Sequence, residues 1–249
     1  MHHTIKKQLE KIEKQEKKHL QPKQEKGIHK KTKEVSAILE QKIPLKLREA
    51  IENAFYKGFL LLFEKGTTVI EKTYDKEKIL WEHQFQEHRF IETGKRKQFK
   101  KLEKNAKHGN YINLATTATE GAVLGLLGIG LPDIPIFLGI LLKGIYETSL
   151  HYGFDYSEKR EQIYILRLIR GAMAEEKIEA DALVEKTAED IAKGMAVPYD
   201  FQEEAKQTAQ TFSNAMLTAK LIQGVPLVGV MGSGYNVMVY HKILKYCNR

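Results

Sequence analysis

A carboxylate and an imidazole follow one another at helical spacing in the second half of the chain, and both are groups that do acid–base or metal chemistry. Glu147 and His151 are four residues apart, so in a helix they share one face, and Asp155 follows after four more. Groups so placed can exchange a proton with a substrate or bind a metal ion. The alternative interpretation is that Glu147 and His151 only pair with each other near the end of the helix, where a histidine also suits the helix dipole.

Asp133 is the second candidate, because it is the only charged residue between residues 121 and 142. A carboxylate in such apolar surroundings must be paired, hydrogen-bonded, metal-bound or placed at a surface turn. Pro132 and Pro135 bracket it, so Asp133 also suits the N-cap of a helix that begins there. Asp133 and Glu147 are the catalytic candidates, although about 20 Å of helix separates them and they cannot share one site directly.

A polar site in this region would gather at one end of that helix. His151, Asp155 and Asn236, the last brought from the final helix, are the ligand or metal candidates. The chain contains no phosphate-binding glycine loop, no H-E-x-x-H motif and no nucleophile elbow. Because carboxylate and histidine candidates are present, a small metal-dependent hydrolase stays open as a function. The sequence does not identify a cofactor.

The elements that would position these residues are helices. Apolar residues recur at helical spacing along most of the chain, and no alternating strand pattern occurs. Asp75 and Asp200 are predicted to cap helices, as is Asp155 or Ser157. Gly153 and Gly194 are predicted to end helices. After Asp75 apolar residues again recur along the predicted helix, at Ile79, Leu80, Phe85 and Phe90.

The predicted fold is all-α, a multi-helix bundle of about 8–10 helices around a central Gly-rich apolar helical hairpin. Residues 1–42 are expected to form a basic N-terminal arm, helical or partly disordered. Residues 43–249 are expected to form the helical domain.

The central hairpin, from Gly121 to Leu142, is either core or membrane-inserted. A transmembrane span needs about 20 uninterrupted apolar residues, and the bend at residues 132–135 divides this run into two shorter pieces. Burial in the bundle or shallow insertion into one leaflet fits these lengths better than spanning. Should the hairpin insert, its membrane-facing candidates are Gly125, Leu126, Leu127, Ile136 and Phe137.

Charge divides the chain into a basic front and a slightly acidic remainder. Residues 1–110 contain 27 Lys and Arg against 16 Asp and Glu, a net charge of +11, and residues 111–249 carry −3. A basic half predicts contact with an anionic membrane surface or nucleic acid, unless it is simply a solvated face. Residues 95–107 are the densest basic segment, but their only aromatic residue is Phe99, so nucleic acid is the less favoured partner.

Cellular location is predicted from two further features. Cys247 is the only cysteine, so the chain has no disulfide framework. The first forty residues contain no apolar segment of the kind that a secretory signal requires. We expect a cytoplasmic protein, peripheral on the inner face of the cell membrane if it binds lipid.

Two apolar motifs resemble those of the EcsC-like bacterial proteins. The first is the stretch from Glu120 to Pro135 with its G-L-L-G-I-G-L-P-D-I-P core, followed by Ile145-Tyr146-Glu147 and Tyr152-Gly153-Phe154-Asp155. The second combines Val225-Pro226-Leu227-Val228-Gly229 with Gly234-Tyr235-Asn236. The resemblance covers roughly residues 45–249 and leaves the basic arm outside.

The resemblance implies a membrane-proximal accessory protein and no established biochemical activity. The family's namesake is encoded beside an ABC transporter whose loss affects secretion and competence. A membrane protein complex is therefore an expected partner alongside an anionic membrane surface. Asp133, Glu147 and Asn236 match motif positions, but the family gives them no proven role, so whether the chain is an enzyme stays open.

Overall fold

The computed structural model describes five ranges of the chain and a few single helical positions near residues 6–14 and 97–104; the ranges are 43–93, 133–175, 177–196, 200–223 and 233–248. Within them, the side chains of residues 133, 219–223 and 233–236 are not described. The first arm of the predicted hairpin therefore lies outside the described residues, and with it Gly125, Leu126 and Leu127.

The described ranges contain seven helices and no strand, which confirms the all-α class. The first helix, α1, is one continuous run in three segments, Leu45–Leu61, the π-helical turn Leu62–Gly66, and Thr67–Glu71. The others are α2 (Lys76–Thr93), α3 (Asp133–His151), α4 (Lys159–Met173), α5 (Lys177–Ala192), α6 (Phe201–Gln223) and α7 (Ser233–Cys247).

Aspartate caps begin two of these helices, as predicted. The Oδ1 atom of Asp75 accepts a hydrogen bond from the backbone N–H of Lys78 at 2.9 Å. Asp200 does the same for the backbone N–H of Gln202, also at 2.9 Å. Each bond satisfies a donor that the first turn of a helix leaves unpaired, which typically stabilises the helix by about 1 kcal/mol.

Glycines end α3 and α5, as the sequence predicts. Gly153 and Gly194 have φ angles of 81° and 67°, which only glycine adopts without strain. After α3 the backbone N–H of Phe154 reaches back to the carbonyl of Ser149 at 2.9 Å, the bond that closes a Schellman motif. The chain is thereby turned directly into the segment that contains Asp155.

The centre of the bundle is α3, which packs against α1, α2 and α7. The ring of Phe212 in α6 lies 4.8 Å from Phe55 of α1 and 5.9 Å from Phe137 of α3. Phe137 is only 4% exposed, and Ile136 is half-buried against the same core. Phe137 is therefore part of the core in this structure, because neighbouring helices cover the apolar face of α3.

A π-helical turn interrupts α1, and the sequence does not predict it. Beside this turn the Thr67 hydroxyl donates a hydrogen bond to the carbonyl of Leu62 at 3.3 Å and lies 3.4 Å from the hydroxyl of Tyr146 in α3. Single π-turns inside α-helices are frequent near functional sites. Here the turn brings a polar side chain of α1 to the end of α3 where the candidate residues lie.

Helices α4, α5 and α6 are joined by a buried ionic cluster. The Nε atom of Arg167 donates to Glu204 Oε1 at 2.8 Å, and Nη1 donates to the hydroxyl of Thr187 at 2.8 Å. Arg170 Nη2 lies 3.2 Å from the second oxygen of Glu204. One carboxylate of α6 is thus held between two guanidinium groups of α4.

Among the helices that the structure describes, none has the combination of length and apolar character needed to cross a bilayer.

Candidate functional site

Glu147 is buried, at 5% exposure, on the side of α3 that faces α7 and the loop after α1. Burial raises the pKa of the Tyr74 and Tyr240 hydroxyls, and the nearby Glu147 carboxylate adds to both shifts. The final helix therefore approaches Glu147. It does so through Tyr240, one helical turn after Asn236.

Tyr240 is fully buried, and its hydroxyl has no hydrogen-bond partner among the described residues. The ring lies so close to α3 that a Cβ added at Gly144 would be 2.6 Å from the hydroxyl oxygen. Close packing of α7 on α3 thus depends on a glycine at position 144.

His151 is half-buried and faces α2, away from Asp155. Its backbone carbonyl lies 2.8 Å from Nδ1 of His83, and because a carbonyl only accepts, Nδ1 of His83 carries the hydrogen. Burial lowers the pKa of His151, and the opposing effect of the Glu82 carboxylate does not cancel the shift. Glu82 and His83 both belong to α2, so His151 takes part in the contact between α2 and α3.

Asp155 is exposed in the turn between α3 and α4. Its Oδ1 atom accepts hydrogen bonds from the hydroxyl of Ser157 at 2.6 Å and from the backbone N–H of the same residue at 3.0 Å. These bonds lower the pKa of Asp155. The prediction that Asp155 or Ser157 caps the next helix is wrong, because the bonds close a local turn and α4 begins only at Lys159.

The predicted site residues therefore have different neighbours. Within the described ranges, no three His, Cys, Asp or Glu side chains are grouped so as to hold a metal ion. The side chains of Asp133 and Asn236 lie outside the described residues. The catalytic pair Asp133 and Glu147 and the metal-dependent hydrolase stay predictions, without support from the described part of the chain.

A hydrogen-bonded group of side chains that the sequence did not reveal lies beside Glu147; we call it the tyrosine joint, formed by Glu71, Tyr74, Lys76, Tyr146 and Tyr156. The Tyr156 hydroxyl donates to Glu71 Oε1 at 2.6 Å, and Lys76 Nζ donates to the same oxygen at 2.7 Å. The Tyr74 hydroxyl lies 2.6 Å from that of Tyr156. Since Tyr156 has already used its hydrogen, Tyr74 is the donor in that bond.

Stacking and charge complete the tyrosine joint. The rings of Tyr146 and Tyr156 are parallel within 9°, with centroids 4.0 Å apart, and Lys76 Nζ lies 4.8 Å from the centre of the Tyr156 ring. Burial alone would raise the pKa of Glu71, but the hydrogen bonds from Lys76 and Tyr156 lower it. The joint thus fixes the start of α2 against α3 and the turn that follows α3.

The outer face of α2 carries a stacked aromatic pair. Trp81 is 62% exposed and Phe85 is 41% exposed, and their rings lie 5.3 Å apart at an interplanar angle of 11°. The guanidinium of Arg89 lies 5.6 Å from the Phe85 ring. Phe85, one of the recurring apolar residues of α2, is thus exposed, and His83 and Gln86 are turned inward in its place.

A second exposed feature follows α2; we call it the lysine face, formed by Lys97, Lys100, Lys101 and Lys104. All four residues are helical and exposed. Their spacing of three and four residues puts them within an arc of about 100° on a helix. Four positive charges at this spacing are suited to anions that are spread over an area.

The comparisons with known proteins give the family. The model described as the EcsC protein family matches residues 6–249, and the chain belongs to that family. The match begins well before residue 45, so it includes most of the basic arm that the sequence motifs had left outside.

A stretch of 63 residues is 35% identical to the uncharacterised protein YdbA of Bacillus subtilis (strain 168), over 24% of this chain and 22% of that protein. The matched stretch therefore spans about a fifth of the length of this curated relative. No solved structure matches the chain.

Proposed function

We propose that this EcsC-family protein is a peripheral membrane protein that binds anionic phospholipid through the lysine face. The observation that carries the proposal is the exposure of Lys97, Lys100, Lys101 and Lys104 on one side of a helix. Phospholipid headgroups present negative charge over a plane, and a row of unobstructed ammonium groups meets such a plane without needing a shaped pocket.

The expected strength follows from the number of charges. Each basic residue near an anionic surface contributes on the order of 1 kcal/mol, and the attraction falls off within about 10 Å at moderate salt. Other exposed helical lysines in the basic front of the chain, Lys6, Lys7, Lys11 and Lys14, would add to it. Residues 111–249 have a net charge of −3, so the attraction belongs to the front of the chain.

The proposal extends to location and partners. The inner face of the cell membrane is rich in anionic lipid, so the protein would work there from the cytoplasm. A membrane protein complex such as an ABC transporter or a secretion system is the class of partner that the family resemblance suggests. Its role at that surface would be accessory, positioning or regulating such a complex.

Vesicle flotation with a charge-matched control tests the proposal. The first variant carries K97Q, K100Q, K101Q and K104Q; the control carries K186Q, K193Q, K206Q and K245Q, which remove the same charge from exposed lysines elsewhere. On vesicles of phosphatidylserine and phosphatidylcholine at moderate salt, we expect the first variant to lose at least tenfold in binding. The control should stay within about twofold of the unmodified protein.

Two outcomes contradict the proposal. One is absence of flotation of the unmodified protein on anionic vesicles, and the other is equal loss in both variants. Retention on DNA under salt conditions in which vesicles do not bind would assign the lysine face to nucleic acid, the partner that its few aromatic residues disfavour.

A further inference from the structure

Helix α2 has more exposed large apolar residues than any other helix in the described ranges. Three of the eight large apolar residues that stay exposed in the described chain, Trp81, Phe85 and Ile91, belong to this helix. Trp81 and Phe85 are four residues apart, and Arg89 follows at the same step, so they form one stripe along the helix. The stripe is a single surface and not a set of scattered side chains.

The opposite face of α2 packs against the bundle, so the stripe is directed outward. The principal neighbour of α2 is α3, and Gln86 is its only residue with less than a tenth of its surface exposed. Ile79 and Leu80 pack partly against the core, and His83 contacts the end of α3. Helix α2 is therefore an edge element, and the Trp81 and Phe85 rings point away from the bundle.

The chemistry of the stripe fits the headgroup zone of a bilayer. Tryptophan combines a large apolar body with one polar N–H group, and this combination favours the boundary between lipid and water. Arginine and lysine place their charges among phosphates while their carbon chains contact apolar surface. Lys78 and Arg89 flank the two rings on the same side of α2, in the arrangement expected of an interfacial helix.

The positive charge around the stripe favours an anionic lipid surface, and not a second apolar protein surface, as the partner that covers it. Residues 76–104 contain nine Lys and Arg against five Asp and Glu. Two acids lie on the same side of α2 as the stripe: Glu77, four residues before Trp81, and Glu92, which lies 3.2 Å from His88. Lys97 follows Thr93 by four residues, so the lysine face begins within about 14 Å of the end of α2. An anionic bilayer can contact both features at once.

We propose that α2 is the element of this protein that enters the membrane interface, with Trp81 and Phe85 inserted among the headgroups of an anionic bilayer. The proposal rests on the proposed function, and it adds a defined apolar contact to the electrostatic one. The lysine face brings the protein to the membrane, and the aromatic pair sets how it is oriented and how long it stays.

Trp81 is the only tryptophan of the chain, so its fluorescence reports on the stripe alone. With vesicles of phosphatidylserine and phosphatidylcholine, we expect its emission to move to shorter wavelength and its quenching by acrylamide to fall at least twofold. Lipids with brominated acyl chains should quench it. Unchanged emission and quenching in protein that floats with the vesicles would overturn this inference and leave the proposed function intact.

A variant pair gives a second readout. W81A combined with F85A should weaken vesicle binding at least tenfold, while F154A, which removes an aromatic ring 53% exposed in the turn after α3, should change it less than about twofold. Circular dichroism confirms that each variant is folded, and the fluorescence of the unmodified chain stands as the test should the double variant fail to fold.

The outcomes separate the two proposals. Failure of the unmodified protein to float removes both. Flotation that the double variant retains in full removes only the insertion of α2. A dimer in buffer that W81A and F85A abolish would assign the stripe to a second copy of the chain and overturn the inference.

Discussion

At the scale of single residues, the polar groups around the end of α3 fix the position of α2. Glu71 accepts hydrogen bonds from both Tyr156 and Lys76, and His151 accepts one from His83 through its backbone carbonyl. The bond from Tyr156 reaches from the turn after α3, the bond to His151 joins α2 to α3, and the bond from Lys76 joins the start of α2 to the end of α1. Of the residues whose types suggested chemistry, His151 thus takes part in positioning α2.

The tyrosine joint predicts the effect of Tyr156→Phe. The ring and its stacking on Tyr146 remain, but the donor to Glu71 and the acceptor for Tyr74 are lost. The free energy of unfolding should fall by about 1–2 kcal/mol, because partly buried polar groups lose their partners. Urea unfolding measures it, and Tyr56→Phe, at a half-buried tyrosine outside the joint, should have little effect. Equal effects of the two substitutions would show that the hydroxyl of Tyr156 contributes nothing specific.

The lowered pKa of His151 predicts how the stability of the fold depends on pH. Burial lowers its pKa below the ordinary 6.5, so the unfolded chain binds a proton there more readily than the folded protein does. The stability that the neutral, buried His151 contributes is fully present above pH 6.5. It is lost as the pH falls toward the lower pKa that His151 has in the folded protein. The fall in Tm between about pH 7.5 and about pH 5.5 should therefore be smaller in His151→Gln than in the unmodified protein.

His88→Gln provides the control for that comparison, because His88 is exposed on α2 with 71% of its side chain accessible. This variant should keep the pH dependence of the unmodified protein. A fall in Tm of the same size in His151→Gln would show that other groups cause the destabilisation.

At the scale of helices, α2 is docked less firmly than the rest of the bundle. Its one buried residue is polar, and the amide oxygen of Gln86 has no hydrogen-bond partner among the described residues. An unpaired buried carbonyl costs about 1–3 kcal/mol.

Gln86→Met tests this description of α2. Methionine has nearly the same shape and helix propensity as glutamine, and it removes the unpaired carbonyl, so the protein should gain about 1 kcal/mol in unfolding free energy. Gln84→Met makes the same change at an exposed position of α2 and should leave the stability unchanged. A loss of stability in Gln86→Met would mean that its amide has a partner.

The cluster that joins α4, α5 and α6 predicts a much larger effect. Arg167→Met removes the guanidinium that Glu204 and Thr187 contact, and a buried carboxylate without that partner should cost about 3 kcal/mol. Thermal unfolding measures the change. Lys193→Met, at an exposed pair with Glu189, is the control and should change the Tm little. Similar changes in both variants would contradict the assignment of Arg167 to a buried cluster.

At the scale of the whole molecule, the predictions that depend only on neighbouring residues were confirmed, except for the cap at Asp155 or Ser157. Local residue preferences predict the helix caps at Asp75 and Asp200 and the helix ends at Gly153 and Gly194, because these preferences can be read from the sequence alone. The all-α class and the burial of α3 follow from periodicity and the absence of charge. Family membership follows from the apolar motifs.

The parts that the sequence did not predict depend on contacts between distant residues. Tyr156 meets Glu71 across 85 positions and Tyr74 across 82, and no spacing rule connects them. The outward position of Phe85 was also not predicted, because the recurrence of apolar residues along α2 does not show which of them face α3. The choice of His83 and Gln86 as the inward residues is decided by α3, which a local pattern does not contain.

We propose that this EcsC-family helical bundle directs one face at an anionic membrane. The basic charge, the lysine face and the aromatic stripe of α2 belong to the front of the chain, and the ionic cluster of α4 to α6 holds the rest. Membrane binding should therefore depend on the charge of the lipid and on the salt concentration, and it should not require a ligand.

The most direct measurement is the partition of the unmodified full chain between buffer and vesicles as the fraction of phosphatidylserine is increased at low and at high salt. We predict no binding to pure phosphatidylcholine, a steep rise with the anionic fraction, and loss of binding at about 1 M salt, where charges are screened within about 3 Å. Binding that is absent at every composition, or that is the same with and without anionic lipid, would contradict the account.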